Sequence, residues 1–324
     1  MTITVAICTH NRAEYLRKAL RSLARQTLAP DAFDILVVDN ACTDGTPTVV
    51  QSMRGELPRL RCVPEPRLGL SHARNRALRE TSSRYIAYLD DDALATPGWL
   101  ESLLNAFGAV QPPPVAVGGP VHPIWMAPRS AWLSDRIRGC LTIVDWGGER
   151  RIVNGRREFI VGANMAFVRA EVLACGGFDP DLGRVGQRLL SGEEMLLQRQ
   201  LGARGGGICW EPAAAVHHHV HENRLDKRWF YDRFYCDGVS LAFNEVHWRS
   251  LGRLQRVQVA FRRLASGLRR GRWHQALLGR DEKTRLASRL EAVRTLTSVY
   301  TLLQMPEPSA RRAPLASWRR RDAR

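Results

Sequence analysis

Over its first hundred residues the chain alternates short apolar runs with stretches of helical periodicity, and the runs tend to end on polar residues. "TITVAIC" (2–8), "FDILVVD" (33–39), "RLRCVPE" (59–65) and "SRYIAYLD" (83–90) have the length and β-branched content of strands. Between them, Leu16, Leu20 and Leu23 space a helix over 13–26, and a second helix follows Asp44-Gly45-Thr46. Ser71 is read as the N-cap of a third helix ending at Glu80. Pro97 opens a fourth, with Trp99, Leu100, Leu103, Leu104 and Phe107 turned inward. Strands joined through helices run parallel, so this order predicts an α/β fold with a mainly parallel sheet flanked by helices. In such a sheet, ligands gather at the carboxyl ends of the strands. Thr9, Asp39, Glu65 and the run Asp90-Asp91-Asp92 would share that edge.

Beyond residue 110 the pattern loosens. "QPPP" breaks the chain, "VAVGGPV" reads as a strand, and 120–158 is irregular. From 159 a strand, a glycine turn and a short helix resume, followed by a helix carrying Leu196, Leu197 and Leu201. Residues 224–305 read as a helical C-terminal extension. Leu254, Val257, Phe261, Leu264 and Leu268 form one stripe and Leu286, Leu290 and Val293 another, both expected to pack on the protein. The domains expected are thus 1–223, 224–305 and a disordered tail over 306–324. Charge divides at the same point. Residues 224–324 carry 23 Lys/Arg against 9 Asp/Glu, a net +14, whereas residues 1–223 carry 25 against 23. A basic segment of this kind suits an acidic or membrane-associated partner, nucleic acid, or plain solvent exposure. No apolar run reaches the roughly 20 residues of a membrane span. The seven cysteines are scattered, and no signal peptide is evident, so a cytoplasmic location is expected.

Three consecutive aspartates repel one another, and an acidic turn is by itself usually a solvated strand stop. At a ligand-binding edge, the same carboxylates can converge on a hard divalent cation, Mg²⁺ or Mn²⁺. Further along, His217, His218, His219 and His221 crowd five residues, which admits a zinc tract. On a strand, His217, His219 and His221 would share one face and His218 the other.

Taken in order, these segments resemble the family 2 glycosyltransferases, inverting nucleotide-sugar enzymes of GT-A (Rossmann-like) fold. The likeness spans roughly residues 3–240. "VAICTHNRAEYLRKALRSLARQ" is similar to the family's opening strand and helix, and "DILVVDNACTDGT" to its nucleotide-recognition turn. "LGLSHARNRAL" and "YIAYLDDDALATPGWL" resemble its Ala-Arg-Asn and Asp-x-Asp segments. "VGANMAFVRAEVLACGGFDPDLG" and "SGEEMLLQRQLGARGGGICWEPAAAVHHH" resemble its Gly-Ala-Asn element and catalytic helix. The resemblance implies that Thr9 and Arg12 line the nucleotide, Asp39 binds the base and Arg74 lies near the nucleotide. It puts Asp90 and Asp91 at the ribose and sugar, and a divalent metal on Asp92 with His218. Arg224 would hold the diphosphate, and Gly162, Ala163 and Asn164 would face the acceptor. "GEE" stands where "GED" is commoner, so the catalytic base is Glu194 or Glu193. The remaining histidines are read as core or surface. The donor implied is a nucleotide-diphosphate sugar and the acceptor is open, with membrane contact through the basic end considered and no nucleic acid expected.

Three other classes compete. A nucleic-acid-binding protein would use the basic third, which carries no recognisable motif. A nucleotidyltransferase would show a Gly-rich, lysine-bearing loop after the first strand, where this chain has "CTHNRAEY". A non-catalytic relative would fit the changed base position.

Overall fold

The computed structural model describes residues 2–153, 158–186, 188–269 and 272–305; the expected tail at 306–324 lies outside the described residues. The four apolar runs form β1 (Ile3–Thr9), β2 (Asp34–Asp39), β3 (Leu60–Pro64) and β4 (Tyr85–Leu89), interleaved with α1 (Ala13–Leu23), α2 (Thr46–Met53) and α3 (Leu70–Glu80). There follow β5 (Ala93–Ala95), α4 (Trp99–Ala109), β6 (Ala116–Gly118), β7 (Val121–Trp125), β8 (Arg151–Val153), β9 (Asn164–Val168), α5 (Arg169–Ala174), α6 (Glu193–Ala203), β10 (Ile208–Trp210) and β11 (Val216–Val220). The C-terminal helices are α7 (Lys227–Arg249), α8 (Arg253–Arg269), α9 (Arg272–Leu278) and α10 (Glu282–Gln304).

The main sheet has the order β3-β2-β1-β4-β9-β6-β10-β8. Strands β3, β2, β1 and β4 are mutually parallel, while β9 opposes β4 and β6 and β8 opposes β10. In β1, Ile3, Val5, Ala6 and Ile7 are all fully buried, as a strand covered on both faces requires. A second sheet, β5-β11-β7, sets β11 antiparallel to β5 with His218 opposite Ala93.

Two loop residues hold the edge that carries the strand tips. Asp44 accepts the Ala13 amide at 2.9 Å, capping α1 from a distant loop, and also accepts the Thr46 amide and hydroxyl. Buried Asn40 donates to the carbonyls of Glu65 and Arg67 and accepts the Gly69 amide, lacing the tip of β2 to the turn before α3. Gly69, at φ +145°, is the residue before α3. Ser71 therefore sits inside the first turn and is not the cap expected from the sequence.

The chain divides into two compact units. Among the described residues, the first comprises those within 1–128, 139–180 and 193–222; the second takes those within 129–138, 181–192 and from Asn223 on. Within the second, α7 and α10 cross closely at Gly238, where a Cβ would strike the Arg294 carbonyl and Thr297. Asp226 and Asp281 cap these two helices. Leu286 and Leu290 are buried as their spacing implied. The stripe on α8 is not. Leu254, Phe261 and Leu268 are 80%, 72% and 68% exposed, because α8 packs through Arg256, Ala260 and Gly267 instead. Among the described residues no helix is long and apolar enough to cross a membrane.

Candidate active site at the carboxyl edge of the sheet

β4 ends at Leu89 and the next three residues are the acids, which lie in the first unit beside the tip of β1. Each acid has a separate environment. Asp92, 2% exposed, receives Arg12 Nη1 at 2.7 Å, and its two oxygens lie 3.0 Å from His218 Nε2 and 3.1 Å from His221 Nε2. Asp91, also buried, accepts the Thr9 hydroxyl at 2.8 Å and Arg12 Nη1 at 3.2 Å. Burial raises its pKa to about 7; Arg12 opposes the rise, and the neighbouring aspartates add to it. Asp90 is the most open of the three and faces Arg74 at 3.6 Å. Arg12, expected on the nucleotide, is thus the cation that allows two adjacent carboxylates to be buried together.

His218 reaches this cluster through strand register. Pairing of β11 with β5 puts it opposite Ala93, and the His219 amide donates to the Asp92 carbonyl at 2.9 Å. Along the strand His217 is exposed while His218 and His219 are buried. His219 Nδ1 meets the Asp92 carbonyl at 2.9 Å, and its ring lies edge-on to Tyr15, as does that of His221. His221, read from the sequence as filler, sits past the end of β11 and returns to Asp92. Asp90, Asp92 and His218 each offer a ligand atom, all within 4.8 Å of one another. Two carboxylates and an imidazole form a donor set suited to a first-row divalent ion such as Mn²⁺. His218 Nδ1, buried without a hydrogen-bond partner, leaves Nε2 as the nitrogen directed at the cluster.

Arg74 is neither a surface arginine nor an open nucleotide contact. It is 2% exposed, pairs with Glu193 at 2.6 Å, and lies over the rings of Tyr88 and Phe178. It therefore bridges Asp90 to the start of α6. Gly162 packs against this guanidinium so closely that a Cβ would collide with it. Gln198 secures α6 by a reciprocal pair, donating to the Ile160 carbonyl at 2.7 Å and accepting its amide at 3.1 Å. The next acid, Glu194, differs from Glu193. Burial, and then the charge of Glu193, raise its pKa to about 8 against the pull of Arg74, whereas the Oε2 atoms of both glutamates are buried without a hydrogen-bond partner.

The other expected positions are less exposed to a ligand than the resemblance implied. Asn164 corrects the expectation of an acceptor contact: its Oδ1 accepts Trp99 Nε1, and its Nδ2 donates to the carbonyls of Pro120 and Ala214. With Ala163 it is fully buried and braces strands. Asp39 stands at the tip of β2 but accepts the Cys42 amide at 2.8 Å, as an Asx turn does. Arg224 belongs to the second unit, buried in a short turn over Glu222–Leu225.

Residues 4–176 match the family described as Glycosyl transferase family 2, more than half of the chain. The chain belongs to that family. Among curated relatives of this glycosyltransferase, the glucosyl-dolichyl phosphate glucuronosyltransferase of Haloferax volcanii is 28% identical over 248 residues, 74% of this chain and 76% of its own. The succinoglycan biosynthesis protein ExoM of Rhizobium meliloti is 29% identical over 287 residues, 86% of this chain and 80% of its own. Among solved structures, the mannosyltransferase PcManGT of Pyrobaculum calidifontis, in complex with GDP-Man and Mn²⁺, superposes with a TM-score of 0.60 at 20% identity, over 94% of this chain and 88% of that one. TarS 1–349 of S. aureus, in complex with UDP-GlcNAc, gives 0.55 at 15% identity, over 90% of this chain and 91% of that one. At these identities the likeness establishes the GT-A fold.

Proposed function

We propose that this family 2 enzyme moves a sugar from a nucleotide-diphosphate donor to an acceptor hydroxyl with inversion at the anomeric carbon. One observation carries the reading: Asp90, Asp92 and His218 converge at the tip of β4, tied through Arg74 to the Glu193-Glu194 start of α6. Those three residues would hold a divalent ion, which would supply Lewis acidity to the departing diphosphate. Arg12 and Thr9 hold Asp91 and Asp92 in place. Asp39, Asp90 and Asp91 are read as donor contacts at the base, ribose and sugar.

The acceptor oxygen attacks the anomeric carbon as the bond from that carbon to the diphosphate oxygen breaks. Its proton passes to Glu194, whose raised pKa suits a base working near neutral pH. Glu193, engaged by Arg74, is the positioning residue. A nitrogen ligand inclines the metal site toward Mn²⁺ over Mg²⁺. The relatives named for a dolichyl phosphate substrate and for succinoglycan support a lipid- or polymer-linked acceptor, met by a cytoplasmic enzyme at a membrane face.

Thermal-shift measurements across a panel of UDP- and GDP-sugars with Mn²⁺ test the reading, since a bound donor stabilises the fold by mass action. At least one donor is expected to raise Tm, and both EDTA and Asp92→Ala are expected to remove the shift and abolish transfer. A metal-independent shift that Asp92→Ala leaves intact would overturn the assignment of the ion to this cluster.

A further inference from the structure

We propose that the outer face of α8 is a docking surface for an anionic lipid bilayer. At 3.6 residues per turn, Leu254, Val257, Phe261 and Leu268 fall within about 60° of one another around the helix. All four are exposed, from 47% at Val257 to 80% at Leu254. The next helix adds Leu277 and Leu278, 74% and 69% exposed and followed closely by Arg280. Large apolar side chains lined up on one helix face and left in water mark a surface made to be covered.

Charge identifies what covers it. The 35 residues from Val246 to Arg280 contain nine arginines and no acid. Exposed Arg253 and Arg262 lie to either side of the apolar stripe by the same helical spacing. Beside α8, a cleft of about 360 Å³ is lined by Arg249, Arg262, Arg263 and Arg294 against one acid, Glu245. A second copy of the chain would bring the same cations face to face. A nucleic acid would neutralise the arginines but leave the leucines and Phe261 in water. A bilayer of anionic lipid answers both features, with acyl chains under the stripe and headgroup phosphates at the arginines.

The inference rests on the membrane-facing acceptor proposed above, and it locates the contact on α8. Flotation of the full chain with vesicles tests it, comparing phosphatidylcholine alone with phosphatidylcholine containing about one third phosphatidylglycerol. Binding is expected to the anionic vesicles and to weaken with salt. Leu254→Ser/Phe261→Ser is expected to lower the affinity about tenfold or more, because two large apolar anchors are lost. Arg253→Gln/Arg262→Gln is expected to weaken binding and flatten its salt dependence. Circular dichroism and nucleotide-sugar binding are expected to stay unchanged in both variants, since the altered side chains are exposed. Equal binding to both vesicle types, or none to either, overturns the inference. So does a dimer in light scattering that Leu254→Ser/Phe261→Ser splits. Vesicle binding without any nucleotide-sugar binding would keep this surface and sink the enzymatic reading. Transfer to a soluble acceptor without vesicle binding would do the reverse.

Discussion

Replacing either of two adjacent glutamates with glutamine should change stability in opposite directions. The carboxyl of Glu194 is raised from an ordinary 4.5 to about 8, chiefly by burial. A folded-state value above the unfolded one means that stability is fully present below pH 4.5 and is lost as pH rises toward 8. At 1.36 kcal/mol per pKa unit, wild type has lost at most roughly 3 kcal/mol at pH 7 and nearly 5 above pH 9. The side chain is only partly enclosed, so these figures are ceilings. Glu194→Gln removes the titration but keeps the shape. Its Tm should exceed that of wild type by a margin that is small at pH 5 and grows with pH, at about 2 °C per kcal/mol for a chain of this size.

Glu193→Gln should do the reverse. Arg74 is buried and its nearest counter-charge, at 2.6 Å, would be gone, leaving Asp90 at 3.6 Å. Breaking such a buried pair costs about 3 kcal/mol, the low end of its class because Asp90 remains. Melting curves of the three proteins at pH 5, 7 and 9 measure both effects, and transfer assays complete the comparison. Glu194→Gln should bind donor yet lose transfer. A Tm difference between Glu194→Gln and wild type that does not change with pH would refute the raised pKa, and full activity would refute the base.

Gly162→Ala should push the Arg74 guanidinium away from its seat, destabilising by about 1–3 kcal/mol and lowering kcat, because Glu193 moves with it. Asn164→Ala strands the Trp99 indole N–H and two carbonyls in the core, and a loss of roughly 3 kcal/mol or more should appear in denaturant unfolding. His218→Ala should weaken Mn²⁺ binding in calorimetry far more than Mg²⁺ binding, since the imidazole favours the softer ion.

The strands and their order along the chain were legible because a strand covered on both faces needs a continuous apolar run, and "TITVAIC" and "FDILVVD" supply one. Helical spacing also located α8, but spacing says only that apolar residues share a face, not that anything covers it. There Arg256 is 2% exposed and Leu254 80%, the inverse of their hydropathies. The caps were hidden for another reason. Asp44 serves α1 from 31 residues downstream, and no local pattern marks a side chain that caps a helix it does not precede. Gln198 and Asn164 bond to backbone carbonyls far away in sequence, and those partners exist only once the strands are set. His221 was missed because the resemblance singled out His218 alone, and His221 lies past Val220, where the strand ends.

Counting cations favours Glu194 over Glu193 as the proposed base. Five acids gather along the Asp90–Asp92 turn and the start of α6, with two arginines among them. Arg12 lies within 3.2 Å of Asp91 and within 2.7 Å of Asp92, and Arg74 lies within 2.6 Å of Glu193 and within 3.6 Å of Asp90. Every acid but Glu194 therefore has a cation in ion-pair range. A carboxylate held by a guanidinium is a poor base, since taking a proton would break the pair that stabilises its charge. Glu194 has no ion pair to lose on accepting a proton, and burial lifts its pKa to about 8. The same arrangement accounts for glutamate on both sides of the pair. One glutamate is tied back to Arg74, and the other stands beside it in the first turn of α6 without a cation in ion-pair range.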